Sequence, residues 1–291
     1  LIVMTGRQFL VHAGAAFLLL FSWFGQAEDT LDTDVNQLIT AGGTLTDIVF
    51  ALHKDDSLIG VDTSSTSPAA VNRLPKVGYY RNLSAEGILS FEPEHLWVLE
   101  GGGSDKVLQQ IEGAGVSVVV FDKPTSLQEL YELIENMADR FGAQAEGKQV
   151  IAGIKSDLTT TSSRKEPLKA LFVLQASERG VVAAGTDTVP DLLFSYSDIN
   201  NVFSHVGFKT VSTEYLLAEQ PDFLVAPEHV VKSHGSKEAF CQAQALKLLE
   251  AGKNCRVLVM DSLLALGMTT RIAEAQRVVA EFANELAAGR E

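Results

Sequence analysis

The sequence predicts an α/β protein of two similar lobes with parallel sheets, joined by one long helix, with a ligand cleft between the lobes. Three observations predict this fold: a strand, turn, helix, strand order that occurs three times, an echo between two segments at a constant offset of 128 residues, and a helical stretch between them with no strand pattern.

Residues 38–62, LITAGGTLTDIVFALHKDDSLIGVD, read as a short apolar strand, a Gly-Gly turn, a helix capped near Thr44 and the apolar strand LIGVD. The same order returns at 95–122 as HLWVLE, the loop GGGS, the helix DKVLQQIEGAG and VSVVVFD. Residues 126–163 carry apolar residues at helical spacing, interrupted only by Gly142, Gly147 and Gly153. They divide into a helix closing the first lobe and a second, from about Ala143 to Thr161, joining the lobes. A helical connector implies a stiff cleft with small closure. The third unit lies at 222–261: DFLVAPE, a helix through AFCQAQALKLLEAG, then CRVLVMD.

The echo aligns LSAEGILSFEPEHLWVLE (83–100) with VSTEYLLAEQPDFLVAPE (211–228). Ser84/Ser212, Glu86/Glu214, Leu89/Leu217, Pro93/Pro221, Leu96/Leu224 and Glu100/Glu228 coincide. Each copy reads as a serine-capped short helix, a proline break and an apolar strand. Two similar lobes account for this; chance similarity of two α/β segments is the alternative. The boundaries that follow are 28–142 for the first lobe, 143–163 for the interlobe helix and 164–291 for the second lobe.

Residues 1–27 stand apart. Arg7 precedes the apolar run FLVHAGAAFLLLFSWFG, which ends in small residues before Glu28, the pattern of a secretory signal peptide cut after Ala27. A membrane anchor is the alternative, but the run is shorter than the ~20 apolar residues a span needs. The formal charge of −14 argues against nucleic acid or an anionic membrane surface as the main partner, since phosphate binding needs clustered Lys and Arg. Loss of Arg7 with the leader makes it −14 − 1 = −15. Export to an oxidising compartment permits the two cysteines, Cys241 and Cys255, to pair; two buried free thiols are the alternative.

Enzyme signatures are poor: AGGTLTD is not GxGxxG, and neither GxSxG nor HExxH occurs. In open α/β sheets ligands bind beyond the carboxyl ends of the strands, here the loops 76–82, 101–104, 176–186 and 228–237. The first of these holds VGYYRNLSAEG, a phenol pair followed by an arginine just before a helix start.

The run VGYYRNLSAEGILSFEP, together with ITAGGTLTDIVFAL, LIGVD and AAGTDTVPDLL, resembles the haem-binding periplasmic proteins of bacterial haem ABC importers. They belong with the siderophore- and cobalamin-binding proteins, two α/β lobes on one long helix. The resemblance runs from about Leu38 to Phe282. It implies a soluble, monomeric periplasmic protein that captures ferric haem b and hands it to an inner-membrane permease dimer with its ATPase, without performing chemistry. By position in the VGY motif, the resemblance makes Tyr79 the axial ligand of the haem iron. Chemistry agrees, because a phenolate is a hard anionic oxygen suited to ferric iron. Free phenol titrates near ~10, so it needs a nearby cation to be anionic at neutral pH, and Arg81 is placed to supply it. Tyr80 is expected to pack away or lie on the porphyrin face. Without the motif, the three would read as an ordinary surface loop.

Two departures from the family pattern matter. LQASERGVVAAG lacks the histidine that some members use as a further ligand, and His229, with Lys232 and His234 near it, stands where the family has an arginine able to bond the ligating tyrosine. His229 then either takes that role, reaches the iron or is a solvated loop residue. The resemblance also implies that Glu86 and Glu214 dock to arginines of the permease; helix capping is the alternative for both. Competing functions are a ferric-siderophore or cobalamin binder, and an exported α/β hydrolase using His229 or His234 as base.

Overall fold

A computed structural model describes residues 35–158, 166–177 and 180–289; the leader read in residues 1–27, with its cleavage at Ala27, falls outside them. The first lobe is built from β1 (Leu38–Ala41), α1 (Gly43–Ala51), β2 (Leu58–Val61), α2 (Ala85–Leu89), β3 (His95–Leu99), α3 (Asp105–Gly113), β4 (Ser117–Phe121) and α4 (Leu127–Arg140). Its four strands run parallel in the order β2-β1-β3-β4. Strand periodicity of two explains the layering. Leu38, Trp97 and Leu99 face α1 and α4, while Ile39, Ala41, Leu96 and Val98 face Ile88 of α2 and Ile111 of α3. On α4 the buried side chains are Leu130, Leu133, Ile134, Met137 and Ala138, one stripe at helical spacing, and each large apolar side chain fully buried there stabilises by about 1.5–3 kcal/mol.

The turn into α1 corrects the reading of a cap near Thr44. Gly42 is the N-cap, at φ 132°, and a Cβ on it would lie 2.6 Å from Leu99 Cβ, so only glycine fits. With no side-chain cap from its own flank, the helix start is satisfied from beyond β2: Gly42 N–H donates to Asp62 Oδ1 (3.0 Å) and Gly43 N–H to Ser64 Oγ (3.2 Å).

The stretch expected to join the lobes begins as α5 (Gln144–Asp157), where Gly147 lets it close on α4: a Cβ there would sit 2.8 Å from Ala138 Cβ. Leu158 is already extended, and residues 159–165 lie outside the description. The second lobe follows as β5 (Leu168–Ser177), β6 (Gly180–Ala184), α6 (Val189–Tyr196), β7 (Ile199–Asn201), β8 (Phe208–Val211), α7 (Thr213–Glu219), β9 (Phe223–Pro227), α8 (Glu228–Ser233), α9 (Lys237–Cys241), α10 (Glu250–Lys253), β10 (Val257–Met260), α11 (Ser262–Leu266) and α12 (Ile272–Ala288).

This second sheet departs from the first. β10, β9, β5 and β7 are parallel, but β6 runs antiparallel to β5 and pairs antiparallel with β8, so β6 is the one reversed strand among those described. The single helix read through AFCQAQALKLLEAG is instead α9, a short 3₁₀ turn at Leu246–Leu248 and α10. The breaks let Phe240, Cys241, Ala245, Leu246, Leu249 and Ala251 all turn inward onto one face of the sheet. A disulfide joins Cys241, at the end of α9, to Cys255, just before β10, with Cα atoms 5.5 Å apart.

One apolar core runs through both lobes: Leu45, Ile48, Ile134, Ile151 and Ile154 belong to the same cluster as Phe172, Phe194, Met268, Ile272 and Val279. Polar bonds cross the same junction. Asp47 of α1, 4% exposed, accepts from the Thr270 N–H (2.8 Å), the Thr270 hydroxyl (2.6 Å) and Arg271 Nε (3.4 Å) at the start of α12. Among the described residues no helix is long and apolar enough to cross a membrane.

Candidate functional site

The carboxyl ends of the two sheets meet. Gly43, just past β1, packs on Leu263, just past β10, so closely that a Cβ on the glycine would lie 2.6 Å from Leu263 Cδ1. The loops that follow β2, β3 and β4 on one side, and β9 and β10 on the other, therefore emerge at the end of the molecule where this contact lies.

Beyond β2 the chain loops out and then returns to the sheet. Val61 N–H donates to Pro75 O (3.0 Å), Val77 N–H to Val61 O (3.0 Å) and Thr63 N–H to Gly78 O (2.8 Å), so residues 75–78 run back alongside the strand end. Asp62 is wholly buried and receives four donors: Gly42 N–H and the Ser65 hydroxyl (2.8 Å) on Oδ1, Ser64 N–H (2.8 Å) and Tyr80 N–H (3.3 Å) on Oδ2. Lys76 Nζ donates to Ser65 O (2.7 Å) beside this anion. Tyr79 emerges from that bonded frame 48% exposed, the neighbour of a buried Tyr80.

The two rings meet edge to face, with centroids 5.1 Å apart. Tyr80 packs with Val77, Leu83 and Val98 under the loop, and burial pushes its phenol pKa up, partly opposed by Arg81. The Arg81 guanidinium lies 5.1 Å over the Tyr80 ring, against Gly101 in the loop after β3. Arg81 thus rests on Tyr80 and the loop after β3. Lys123, after β4, donates its backbone N–H to Glu100 Oε2 (3.3 Å); burial pulls its pKa down, the Arg81 charge adds to that, and Glu100 opposes it. Tyr79, Arg81 and Lys123 thus share the lip of the first lobe.

On the second lobe His229 is the second residue of α8, just past β9. Its Nδ1 is 2.7 Å from Ser262 Oγ, and burial lowers its pKa, which favours the neutral imidazole. No carboxylate bonds its other nitrogen among the described residues. His234 is committed elsewhere: its ring nitrogens lie 3.0 Å from Val230 O and 3.0 Å from Ala176 O, tying α8 to β5. Lys232 pairs with Glu228 at 2.7 Å. No hydrogen bond or ring contact joins His229 to Tyr79 among the described residues.

Glu86 and Glu214 are exposed at the second position of α2 and α7. Ser84 and Ser212 cap those helices by accepting from Gly87 N–H (3.3 Å) and Tyr215 N–H (3.2 Å). A reciprocal capping box needs its acid at the third position, occupied here by Gly87 and Tyr215, so neither glutamate serves that purpose. Sequence reasoning passed over Asp62 and Lys123. Both were legible as polar residues directly beyond apolar strands, in LIGVD and VSVVVFDK, where strand-end ligands are expected.

Two α/β lobes whose strand ends meet have the architecture of a ligand-capturing binding protein. Residues 38–264 match the family described as periplasmic binding protein, and the chain belongs to that family, the substrate-binding component of ABC importers. Among solved structures it is similar to the periplasmic heme-binding protein RhuT from Roseiflexus sp. RS-1 in its apo form (28% identity, TM-score 0.81, covering 87% of this chain and 99% of that one). It is also similar to the periplasmic heme-binding protein HutB of Vibrio cholerae (27% identity, TM-score 0.75, 84% and 98% covered). Among curated proteins it is 22% identical over 204 residues to the vitamin B12-binding protein of Vibrio parahaemolyticus, covering 69% of this chain and 74% of the relative.

Proposed function

We propose that this chain captures ferric haem b in the interlobe cleft and delivers it to an inner-membrane ABC permease dimer with its ATPase. The observation that carries the reading is Tyr79: a half-exposed phenol on a loop whose backbone is otherwise bonded to the strand ends. A phenolate oxygen suits ferric iron. Tyr80 is buried and held towards its neutral form, which leaves Tyr79 as the ligating phenol of the pair. Haem also carries two carboxylates, for which Arg81 and Lys123 are cations on the same lip. His229, with a neutral imidazole on the opposite lobe, is suited to bond the ligating oxygen or approach the iron. The haem-binding neighbours in structure support the same ligand.

Glu86 and Glu214, exposed on matched helices, are assigned to cations of the permease subunits. The place of work is the periplasm, with residues 1–27 removed on export, and the mature protein is a soluble monomer. Cobalamin is the second reading, favoured by the vitamin B12-binding relatives; a ferric siderophore is a third.

Titration with hemin, cyanocobalamin and a ferric siderophore, followed by absorbance, separates these. Hemin is expected to give a saturable spectrum with the charge-transfer band of a phenolate-ligated high-spin haem. Tyr79→Ala abolishes or greatly weakens that binding and Tyr80→Ala does less. Equal effects from both substitutions, or binding of cyanocobalamin without hemin, overturn the haem reading.

A further inference from the structure

Tyr79 is flanked on both sides by bonds to one dipeptide. The carbonyl of Gly78, before it, accepts from Thr63 N–H at 2.8 Å, and the N–H of Tyr80, after it, donates to Asp62 Oδ2 at 3.3 Å. We propose that Asp62 is the positioning residue that sets where the Tyr79 phenol stands in the cleft; this rests on reading Tyr79 as the ligating phenol. The backbone is clamped while the side chain is left free to meet a ligand. The other oxygen of Asp62 extends the clamp across the cleft floor. Oδ1 accepts from Gly42 N–H at 3.0 Å, at the start of the helix that packs through Gly43 on Leu263 of the second lobe. One buried carboxylate thus fixes the Tyr79 loop to the point where the lobes touch.

The chemistry requires an acid. Four donors converge on Asp62, three backbone N–H groups and one hydroxyl, and only an ionised carboxylate offers two oxygens that accept at every site. An asparagine, of nearly the same shape, would turn an NH₂ towards at least one backbone N–H whichever way it sat. Groups standing behind a metal ligand in this manner affect metal affinity through the ligand they hold. Asp62 makes no contact of its own with the ligand in this scheme; it acts through the Tyr79 backbone.

The test compares wild type, Asp62→Asn and Tyr79→Phe by amide hydrogen exchange without ligand and by hemin titration. Circular dichroism first establishes that Asp62→Asn is folded. The folded variant is expected to lose protection at the Ser64 and Tyr80 amides, to bind hemin ~10- to 100-fold more weakly, and to show a diminished charge-transfer band. Tyr79→Phe should lose the band while keeping wild-type protection at both amides. Wild-type affinity or wild-type protection in folded Asp62→Asn overturns the proposal. If that variant does not fold, exchange in the wild type decides: slow exchange at Ser64 and Tyr80 before hemin is added sustains the clamp, and exchange at the rate of an exposed loop removes it. A wild type that shows no Tyr79-dependent hemin spectrum overturns the haem reading instead, and the protection pattern still reports on the clamp.

Discussion

Tyr79 and Tyr80 are adjacent phenols with opposite fates, and burial separates them. Tyr80 is 8% exposed, with a phenol pushed towards the neutral form, whereas Tyr79 is 48% exposed. Arg81 and Lys123 act at the same scale. If they receive the carboxylates of the ligand, hemin should bind more tightly than hemin dimethyl ester, whose carboxylates are masked. The Arg81→Ala, Lys123→Met double variant should erase that preference while keeping the Tyr79-dependent spectrum. Charge-assisted bonds to partly exposed groups are worth about 1.5–3 kcal/mol together at most, so a preference of roughly 10- to 100-fold is expected. Equal affinity of the wild type for both probes would remove the two cations from ligand recognition.

Short helices α2 and α7 each carry a capping serine and an exposed glutamate side by side. The serines cap, so Ser84→Ala or Ser212→Ala should each cost ~1 kcal/mol in denaturant unfolding. The glutamates stand beside the caps and are exposed. Reversing both Glu86 and Glu214 to Lys should leave hemin affinity and melting temperature nearly intact, apart from the small penalty of cations near helix N-termini. Transport in vesicles reconstituted with the cognate permease should collapse, and stimulation of the transporter ATPase by the wild-type protein should weaken as salt rises. Loss of hemin affinity in the double variant would assign these glutamates to the cleft. The disulfide belongs to this scale too. It closes a loop of sequence separation 14 around segments with little helix of their own, and its removal by Cys241→Ala with Cys255→Ala should cost about 3 kcal/mol. An unchanged denaturation midpoint would show that the packing of Phe240, Leu246 and Leu249 suffices alone.

For the whole molecule the governing contact is the junction of the lobes. A shared apolar core and the bonds from Asp47 to Thr270 and Arg271 resist opening, which suits a cleft with small closure. Asp47→Ala strands the Thr270 N–H and the Arg271 Nε, and a loss of about 1–3 kcal/mol is expected in thermal or chemical unfolding. Burial, which outweighs the hydrogen bonds and Arg271, raises the Asp47 pKa above 3.8. The folded state therefore holds the Asp47 proton more tightly than the unfolded chain. Stability from this group is gained as pH falls through the raised pKa, and the gain is complete once pH lies below 3.8. The stability of wild type relative to Asp47→Asn should accordingly grow as pH falls from neutral. A difference that shrinks on acidification would mean that the hydrogen bonds outweigh burial.

The sequence by itself determined the layered α/β units, since strand and helix periods are local: LITA, HLWVL and SVVVF, with their turns, became β1, β3 and β4. It also carried the likeness between the lobes, because α2 and α7 use the same serine caps at matched positions. What it could not decide were the relations between distant segments. The antiparallel hairpin of β5 and β6, the breaking of the helix after Cys241, the separation of Tyr79 from Tyr80 by burial, and the convergence of four donors on Asp62 all depend on which surfaces meet after folding. A local pattern specifies what a residue is able to pair with. Only the tertiary structure brings the partner, and the physical reason is that burial and hydrogen-bond satisfaction are properties of neighbours far apart in the chain.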